Sequence, residues 1–424
     1  MTITCLDELR AQTSAACPVP VGGLWAENSL DPGSFAALRR RVMLDGCKWD
    51  VQVGDTTALA PFPLVMKRSV WNQLATHAEA LTAEAAAAEQ EIVKRPELLR
   101  LLGLPPRLQA VLSDHEPLTP AAGRVIRFDF HFTTEGWRIS EANSDVPGGF
   151  SEASHFTGLM AGHFPHLEPA GNPAESWCRV LAASAGVGGQ VAFLSAPPLL
   201  EDHQVNAFLA ANLRVYGCRT CLAKPEQIQW HNGVAYLATN SYRGPLDLVV
   251  RFYQAEWLPN LPRSNGWRCF FRGGRTPVAN PPLSVISESK RFPLTWKHLS
   301  IPLPTWRRLL PEVREPHDIS LFNHPEWLLK TAYCNNGEDV CIRELMTPLQ
   351  WWHAKLSSRF APHKWLAQRR FQSSPVPTPL GPRHVCIGIY TVNGSAAGAY
   401  ARLSQTAVTD YAAVDVALLI DQNE

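Results

Sequence analysis

The chain has 424 residues, 46% of them hydrophobic, which is enough for a large core and favours more than one domain. Its 39 basic and 38 acidic side chains nearly cancel, so the sequence predicts no overall field that would attract nucleic acid or an anionic membrane. We expect a reducing, cytoplasmic setting, because the ten cysteines are scattered and we find no signal-peptide segment and no apolar run of membrane-spanning length.

The N-terminal part of the chain is predicted to be helical. A short helix near 34–44 lies in an otherwise irregular, Pro- and Trp-containing stretch. Alanine-rich residues at helical spacing then predict a long helix that has Ser69 as its N-cap and stops before Pro96. A second short helix, PELLRLLG, is expected to end at Gly103. Between 124 and 146 the period changes to that of strands, and two alternating runs across a Gly-containing loop predict a β-hairpin.

The centre of the chain alternates strands with helices. A helix at 174–186 precedes the strand QVAFLSAPP, the helix EDHQVNAFLAANLRVYG and the strands CRTCLA, GVAYLATNSYR and LDLVVRFYQ. This alternation is typical of an α/β unit. Residues 259–282 are rich in Pro, Gly and Arg and are predicted to be loop.

The last third is predicted to combine strands and helices and to end in a second hairpin. A helix near 288–298 precedes the strands WLLKTAY and VCIRE, the helix TPLQWWHAKLSSRF and a strand near WLAQRRF. The terminal segment HVCIGIYTVNGSAAGAYARLS predicts a hairpin, because Asn393-Gly394 is the strongest short signal for a hairpin turn.

The hairpin at 124–146 gathers polar side chains on one face. Residues two apart in a strand point the same way, so Arg127 and Asp129 share one face while the intervening phenylalanines face the core. A three-residue loop, Thr134-Glu135-Gly136, would place Asp129 opposite Glu141 and Arg127 opposite Asn143.

Two carboxylates and an amide oxygen at this spacing are hard oxygen ligands that suit Mg²⁺, which completes its coordination with water and substrate phosphates. The neighbouring arginine fits a phosphate group. The alternative is a solvated strand face with an ordinary Arg–Asp pair. The turn Val146-Pro147-Gly148-Gly149 directly after the acidic residues favours the ligand site, because its glycines let backbone approach a ligand closely.

The segment RFDFHFTTEGWRISEANSDVPGG resembles the metal-binding hairpin of the glutathionylspermidine-synthase-like family of circularly permuted ATP-grasp ligases. Further similarities cover most of the chain: GCKWD and the helix AEALTAEAAAAEQE, the strand DLVVRFYQAEWL, the segment ANPPLSVISESK and the hairpin GIYTVNGSAAGAYARLS. The resemblance implies an α/β (α+β) fold with an ATP-grasp core. We divide the chain into a helical region (1–115), a first core part with the hairpin (116–186), a Rossmann-like pre-ATP-grasp subdomain (187–285) and the remaining core (286–424).

The resemblance also implies roles for individual residues and the cofactors ATP and Mg²⁺. Asp129, Glu141 and Asn143 would hold the metal, and Arg127 would contact the transferring phosphate as the catalytic arginine. The expected nucleotide-binding residues are Lys290, Lys330, Gln368 and Arg402. The implied activity joins a small carboxylate substrate to an amine through an acyl phosphate, and which acid and amine it uses stays open.

One departure and several smaller motifs have alternative interpretations. The family's phosphate loop is usually Gly-x-x-Gly, whereas this chain has Cys334-Asn335-Asn336-Gly337, which leaves a non-catalytic ATP-binding scaffold as the alternative function. The alternative role for Arg402 is a structural ion pair, and Arg251 and Glu256 would either face the amine or serve the fold. Cys218-x-x-Cys221 lacks the second pair that zinc needs, and the histidines favour structural roles over metal binding: His155, His163 and His166.

Overall fold

The computed structural model describes residues 20–53, 56–196, 199–240, 242–319, 324–333 and 340–422. Its α-helices, in chain order, are α1 (Pro32–Leu44), α2 (Arg68–Ile92), α3 (Pro96–Leu99), α4 (Pro106–Leu112), α5 (Thr157–Ala161), α6 (Pro173–Ala185), α7 (Leu200–Val215), α8 (Ser284–Glu288), α9 (Pro304–Leu309) and α10 (Pro348–Phe360). A π-helical turn, Ser151–Phe156, leads into α5. In the described part of the chain, none of the helices combines the length and apolarity needed to cross a bilayer.

The strands are short except in two hairpins. In chain order they are β1 (Leu24–Ala26), β2 (Gln52–Val53), β3 (Thr56–Thr57), β4 (Leu64–Lys67), β5 (Val125–Thr133), β6 (Gly136–Asn143), β7 (Leu167–Pro169), β8 (Gln190–Ser195), β9 (Arg219–Ala223), β10 (Ile228–His231), β11 (Val234–Ala238), β12 (Arg243–Pro245), β13 (Leu248–Phe252), β14 (Val278–Ala279), β15 (Val313–Arg314), β16 (Trp327–Thr331), β17 (Val340–Cys341), β18 (Trp365–Arg369), β19 (His384–Val392), β20 (Ser395–Ser404), β21 (Val414–Val416) and β22 (Leu418–Asp421).

The two predicted hairpins lie side by side in one antiparallel sheet, in the order β21-β20-β19-β5-β6. Strand β19 pairs with β5 and places Gly388 opposite Asp129. The apolar face of this sheet packs into the main core, where Phe128 and Phe130 are fully buried. The α2 helix contributes alanines and leucines to the same core. Thus one face of a five-stranded sheet stays available for polar side chains.

Two further sheets flank this one. The parallel sheet β14-β13-β8-β9 corresponds to the α/β unit expected in 187–285, and α6 and α7 pack on it. The antiparallel sheet β15-β18-β16-β17 packs against α10. A fourth sheet, β1-β4-β22-β7, joins the two ends of the described chain and was not predicted. The proposed domain boundaries stay a prediction.

Three local predictions were wrong. Helix α2 begins at Arg68 with Lys67 as its N-cap, so Ser69 lies inside the helix. The loop of the first hairpin has two residues, because Thr133 pairs with Gly136, and a bulge between Asp129 and Phe130 takes up the extra residue. The helix expected near 288–298 is divided into α8 and the 3-10 helix Phe292–His298. The chain leaves the helix between them because the backbone N–H of Lys290 donates to Ala332 O over 2.9 Å.

Candidate active site

The predicted register of the first hairpin is confirmed where the polar residues lie. Arg127 is paired with Asn143 and Asp129 with Glu141. The two-residue loop alone would shift this pairing by one residue. The bulge adds one residue to β6 after the turn and so restores the predicted pairs. All four side chains line a single cavity of about 710 Å³.

Asp129 lies at the centre of this face and is 1% exposed. Its Oδ1 accepts a hydrogen bond of 2.8 Å from Arg127 Nε, and its Oδ2 accepts one of 2.8 Å from Arg402 Nη2. The amide of Asn143 lies 3.5 Å from the same Oδ2. Burial alone would raise the pKa of Asp129, but the two guanidinium groups outweigh it and hold that pKa below its usual value.

Arg127 connects the carboxylate to the turn that follows the hairpin. Its Nη1 donates to Gly148 O over 3.1 Å, and its guanidinium lies 5.9 Å from the ring centroid of Tyr400. Gly388 makes room for it, because a Cβ at that position would lie 2.9 Å from Arg127 Cδ. Both the arginine and the adjacent backbone therefore face the cavity.

Glu141 has cationic neighbours on two sides. Lys290 Nζ lies 3.4 Å from Glu141 Oε2, and its side chain is 6% exposed. Burial would raise the pKa of Glu141, but Lys290 and Lys330 hold it below its usual value. Lys290 does not line the main cavity and instead lines a small adjoining one, together with Glu141 and Gln368.

Lys330 and Gln368 reach the cavity from a different sheet. They lie on β16 and β18, where Leu328 pairs with Gln368 and Lys330 with Leu366, so both side chains project from one face. Lys330 Nζ donates to Ser140 O over 3.3 Å and thereby joins this sheet to the first hairpin. The structure thus gathers seven of the eight predicted site residues around one cavity: Arg127, Asp129, Glu141, Asn143, Lys330, Gln368 and Arg402.

His131 is a cavity residue to which the sequence analysis gave no role. Burial lowers its pKa to about 4, so the imidazole is neutral at physiological pH. Its Nε2 lies 3.1 Å from Ser140 Oγ, and its ring centroid lies 5.1 Å from that of Phe371. The planes of the two rings are tilted by 39°, and together they give the cavity an uncharged aromatic surface.

The cavity also has an acidic wall, formed by Asp50, Glu152, Asp202 and Asp415. Asp415 pairs with Arg402 across β20 and β21, so part of this wall lies beside the cationic side chains. Lys48 lies 2.7 Å from Glu152 and 3.3 Å from both Asp415 and Asp50. Burial raises the pKa of Asp415 to about 7 against the opposing charge of Lys48. These residues belong to separate elements, so no local pattern revealed them, although Lys48 lies in the GCKWD segment.

Asp202 differs from the other members of the acidic wall. Burial, with a smaller contribution from Glu201, raises its pKa to about 7. Within the described ranges its buried Oδ2 has no hydrogen-bond partner. Since buried polar atoms are nearly always paired, this oxygen is a suitable acceptor for a bound donor.

Arg251, Glu256 and Arg402 each had two interpretations, and their contacts in the structure bear on both. Arg251 is buried and forms a two-pronged ion pair with Asp145, so it serves the fold. Glu256 does not line the cavity, and burial raises its pKa to about 8. Arg402 forms an ion pair with Asp129 at the cavity, and its contact with a nucleotide stays a prediction.

The described residues contain no group of three or more His, Cys, Asp or Glu side chains that could hold a metal. Cys218 and Cys221 are free thiols. The structural interpretation of the histidines and of the Cys-x-x-Cys pair stays a prediction. The phosphate-loop departure at Cys334 lies outside the described residues.

Comparisons with known proteins place the chain in a family. The model of the glutathionylspermidine synthase pre-ATP-grasp domain matches residues 64–421. No curated protein sequence matches the chain.

Solved structures support the expected fold. The apo structure of a glutathione synthetase-like effector (GSS30) from Globodera pallida aligns with a TM-score of 0.61 and 12% identity, covering 91% of this chain and 96% of that one. A putative gamma-glutamylcysteine synthetase from Methylobacillus flagellatus KT aligns with a TM-score of 0.39 and 9% identity, over 77% and 82% of the two chains, which is too distant to support a conclusion. The predicted mixed α/β fold of the ATP-grasp kind is confirmed.

Proposed function

The chain belongs to the glutathionylspermidine synthase family, and we propose that it is an ATP- and Mg²⁺-dependent ligase that joins a carboxylate to an amine. The main observation behind this proposal is that side chains from two sheets line one cavity. Arg127 and Arg402 come from the hairpin sheet and Lys330 from the flanking sheet, and all three surround the carboxylates Asp129 and Glu141.

This arrangement suits a metal–polyphosphate complex. Phosphoryl transfer to a carboxylate needs positioning and charge neutralisation rather than a protein nucleophile. The three cationic side chains would neutralise phosphate oxygens. Gln368, on the same face as Lys330, would line the nucleotide end.

The donor set fits Mg²⁺ when phosphate is present. Asp129 and Glu141 offer carboxylate oxygens and Asn143 an amide oxygen, which are ligand types that Mg²⁺ accepts. Asp129 and Glu141 are already in contact with the cationic side chains of Arg127, Arg402 and Lys290. Without phosphate, Mg²⁺ would have to compete with these side chains for the carboxylates. Phosphate groups that attract the same cationic side chains would free the carboxylates. The metal would supply charge neutralisation at the transferring phosphate.

The proposed reaction has two steps. The substrate carboxylate attacks the γ-phosphorus of ATP, forming an acyl phosphate and releasing ADP. The amine, which first loses a proton and attacks in its neutral form, adds to the acyl carbon; an amide bond forms, inorganic phosphate leaves, and the nitrogen loses a second proton to solvent. Arg127, which contacts both Asp129 and the turn at Gly148, would stabilise the charge on the phosphoryl group.

The acidic wall supports a site for the amine in the same cavity. An alkyl amine is cationic at neutral pH, and the acidic wall offers carboxylates to it. Asp202 Oδ2, which has no hydrogen-bond partner among the described residues, would accept a hydrogen bond from one of its N–H groups. We therefore propose a cationic amine as acceptor and a carboxylate such as that of an amino acid or peptide as donor.

The first test is ADP release from Mg·ATP with pooled carboxylates and amines. A ligase releases ADP only when both substrate classes are present, whereas a non-catalytic scaffold binds ATP without turnover across the panel. Mg·ATP affinity should also fall in the variant Asp129→Ala with Glu141→Ala. Unchanged affinity in this variant would contradict the metal assignment, and a Glu91→Ala variant, altered far from the cavity, is the control.

A further inference from the structure

The metal-binding face depends on how β6 ends. Beyond Asn143 the chain leaves the sheet, so the backbone N–H groups of Ser144 and Asp145 need other acceptors. Both donate to one side-chain oxygen, Glu288 Oε2, over 2.6 and 2.8 Å. One carboxylate thus holds the two residues that follow the proposed metal ligands.

Glu288 shares a short element with Lys290. Glu288 is the last residue of α8, and Lys290, two residues further, has its ammonium 3.4 Å from Glu141 Oε2. The same element therefore contacts the hairpin twice, at the metal-ligand side chain and at the backbone just past Asn143. Ser287 Oγ adds a third contact, 2.9 Å from Ser144 Oγ.

The backbone carbonyls at this point are held as well. The Asn280 amide donates to Ser144 O over 2.9 Å and to Asp145 O over 3.1 Å. The two carbonyls are thus held by the Asn280 amide, whereas the two N–H groups are held by the Glu288 carboxyl group. Replacing Glu288 therefore leaves both N–H groups without their acceptor.

We propose that Glu288 is a positioning residue for the reaction proposed above: by accepting the Ser144 and Asp145 N–H groups it fixes Glu141 and Asn143 in their metal-binding positions and keeps Lys290 beside them. The inference rests on the proposed function, because it assigns Glu288 a purpose in Mg·ATP binding. Glu288 itself does not line the main cavity and touches neither phosphate nor substrate in this scheme.

The variants Glu288→Ala and Glu288→Gln separate the hydrogen bonds from the charge. Alanine removes the oxygen that accepts from both N–H groups, and we expect the Kd of Mg·ADP to rise about tenfold, the equivalent of 1.4 kcal/mol. Glutamine keeps one side-chain oxygen that both N–H groups can reach, so its Kd should stay within about threefold of the wild type. Loss of affinity in Glu288→Ala with rescue in Glu288→Gln supports positioning by these hydrogen bonds.

A matched control separates positioning from general stability. Glu91 also accepts a backbone N–H, that of Ser300 over 2.9 Å, together with the Ser300 hydroxyl, but it does not line the cavity. Glu91→Ala should lower the melting temperature without changing the Kd of Mg·ADP. Hydrogen exchange of the peptide 140–149 should become faster in Glu288→Ala and stay unchanged in Glu91→Ala.

The outcomes distinguish the two proposals. If the wild type binds neither Mg·ADP nor Mg·ATP, the proposed function fails. If the wild type binds and Glu288→Ala binds equally well, with unchanged exchange in 140–149, only the positioning role is overturned. Should Glu288→Ala not fold, Glu288→Asp, whose shorter side chain reaches the N–H groups less well, takes its place. Wild-type affinity in that variant would equally overturn the role.

Discussion

The buried ion pair between Arg251 and Asp145 offers a sharp test of how the sheets are joined. Arg251 lies on β13 of the parallel sheet, and Asp145 follows the first hairpin, β5–β6. The exposed fractions of their side chains are 2% and 0%. Replacing Arg251 with Met keeps a side chain of similar length and removes the charge, so the Asp145 carboxylate is left without its ionic partner.

The magnitude follows from the contacts of Asp145. Its oxygens accept two hydrogen bonds from Arg251, one of 2.8 Å from the Ala255 N–H and one of 2.9 Å from the Ser284 hydroxyl. Arg251→Met removes the two charged donors and keeps the neutral ones. We expect a loss of about 3–5 kcal/mol in the free energy of unfolding, as for other buried pairs deprived of one partner.

A double-mutant cycle isolates the pair. Asp145→Asn should also destabilise, because Arg251 then keeps Tyr253 O, at 2.7 Å, but loses its carboxylate. The double variant combines Asp145→Asn with Arg251→Met and has no unpaired buried charge. Its loss in the free energy of unfolding should therefore be at least about 2 kcal/mol smaller than the sum of the two single losses.

Urea unfolding followed by the fluorescence of the 14 tryptophans measures all four proteins. Additive losses, or a loss under about 1 kcal/mol for Arg251→Met, would refute the idea that this pair holds the hairpin to the parallel sheet.

Three further predictions concern the cavity. Lys330→Met should raise the KM for ATP about tenfold in initial-rate assays, since it removes one charge-assisted phosphate contact, and an unchanged KM would exclude Lys330 from the nucleotide site. Because the pKa of Asp202 is raised to about 7, its carboxylate becomes charged as pH rises through 7. Affinity for a cationic amine should therefore rise between pH 6 and 8, and calorimetry should find a smaller rise in Asp202→Asn, where Asp415 still becomes charged in this range. Gly149→Ala should lower the melting temperature more than Gly136→Ala: both glycines have positive φ, but only at Gly149 would a Cβ meet a neighbour, Tyr390 Oη at 2.6 Å.

The sequence predicts the site where local patterns suffice. The alternation of apolar and polar residues and the residue types of turns are patterns of a few residues each. Short segments therefore predict that Asp129 lies opposite Glu141 and that Asn393-Gly394 forms a turn. Even the wrong loop length did not change the pairing, because the buried phenylalanines of β5 fix which residues face the core. The bulge after Asp129 is the outcome of this constraint.

The remaining features depend on long-range contacts that no local pattern specifies. That β19 lies beside β5, and so brings Arg402 to Asp129, is a pairing between strands more than 250 residues apart in the chain. Lys330 reaches Ser140 from another sheet. The resemblance to a family supplied these residues, whereas physical reasoning from the sequence supplied only the hairpin.

The acidic wall was missed for the same reason, and it bears on the choice between the two functions. A protein that bound ATP without turnover would need only the cationic side chains of the cavity, Arg127, Arg402 and Lys330. Burying Asp202 and Asp415 raises both pKa values to about 7, which costs free energy in their charged forms. Lys48 already offsets part of this cost for Asp415, whereas Asp202 Oδ2 has no hydrogen-bond partner among the described residues, so a cationic ligand beside Asp202 would offset its cost. A cavity that offers this acceptor as well as phosphate-binding side chains favours a site for two substrates, and hence a ligase over a scaffold.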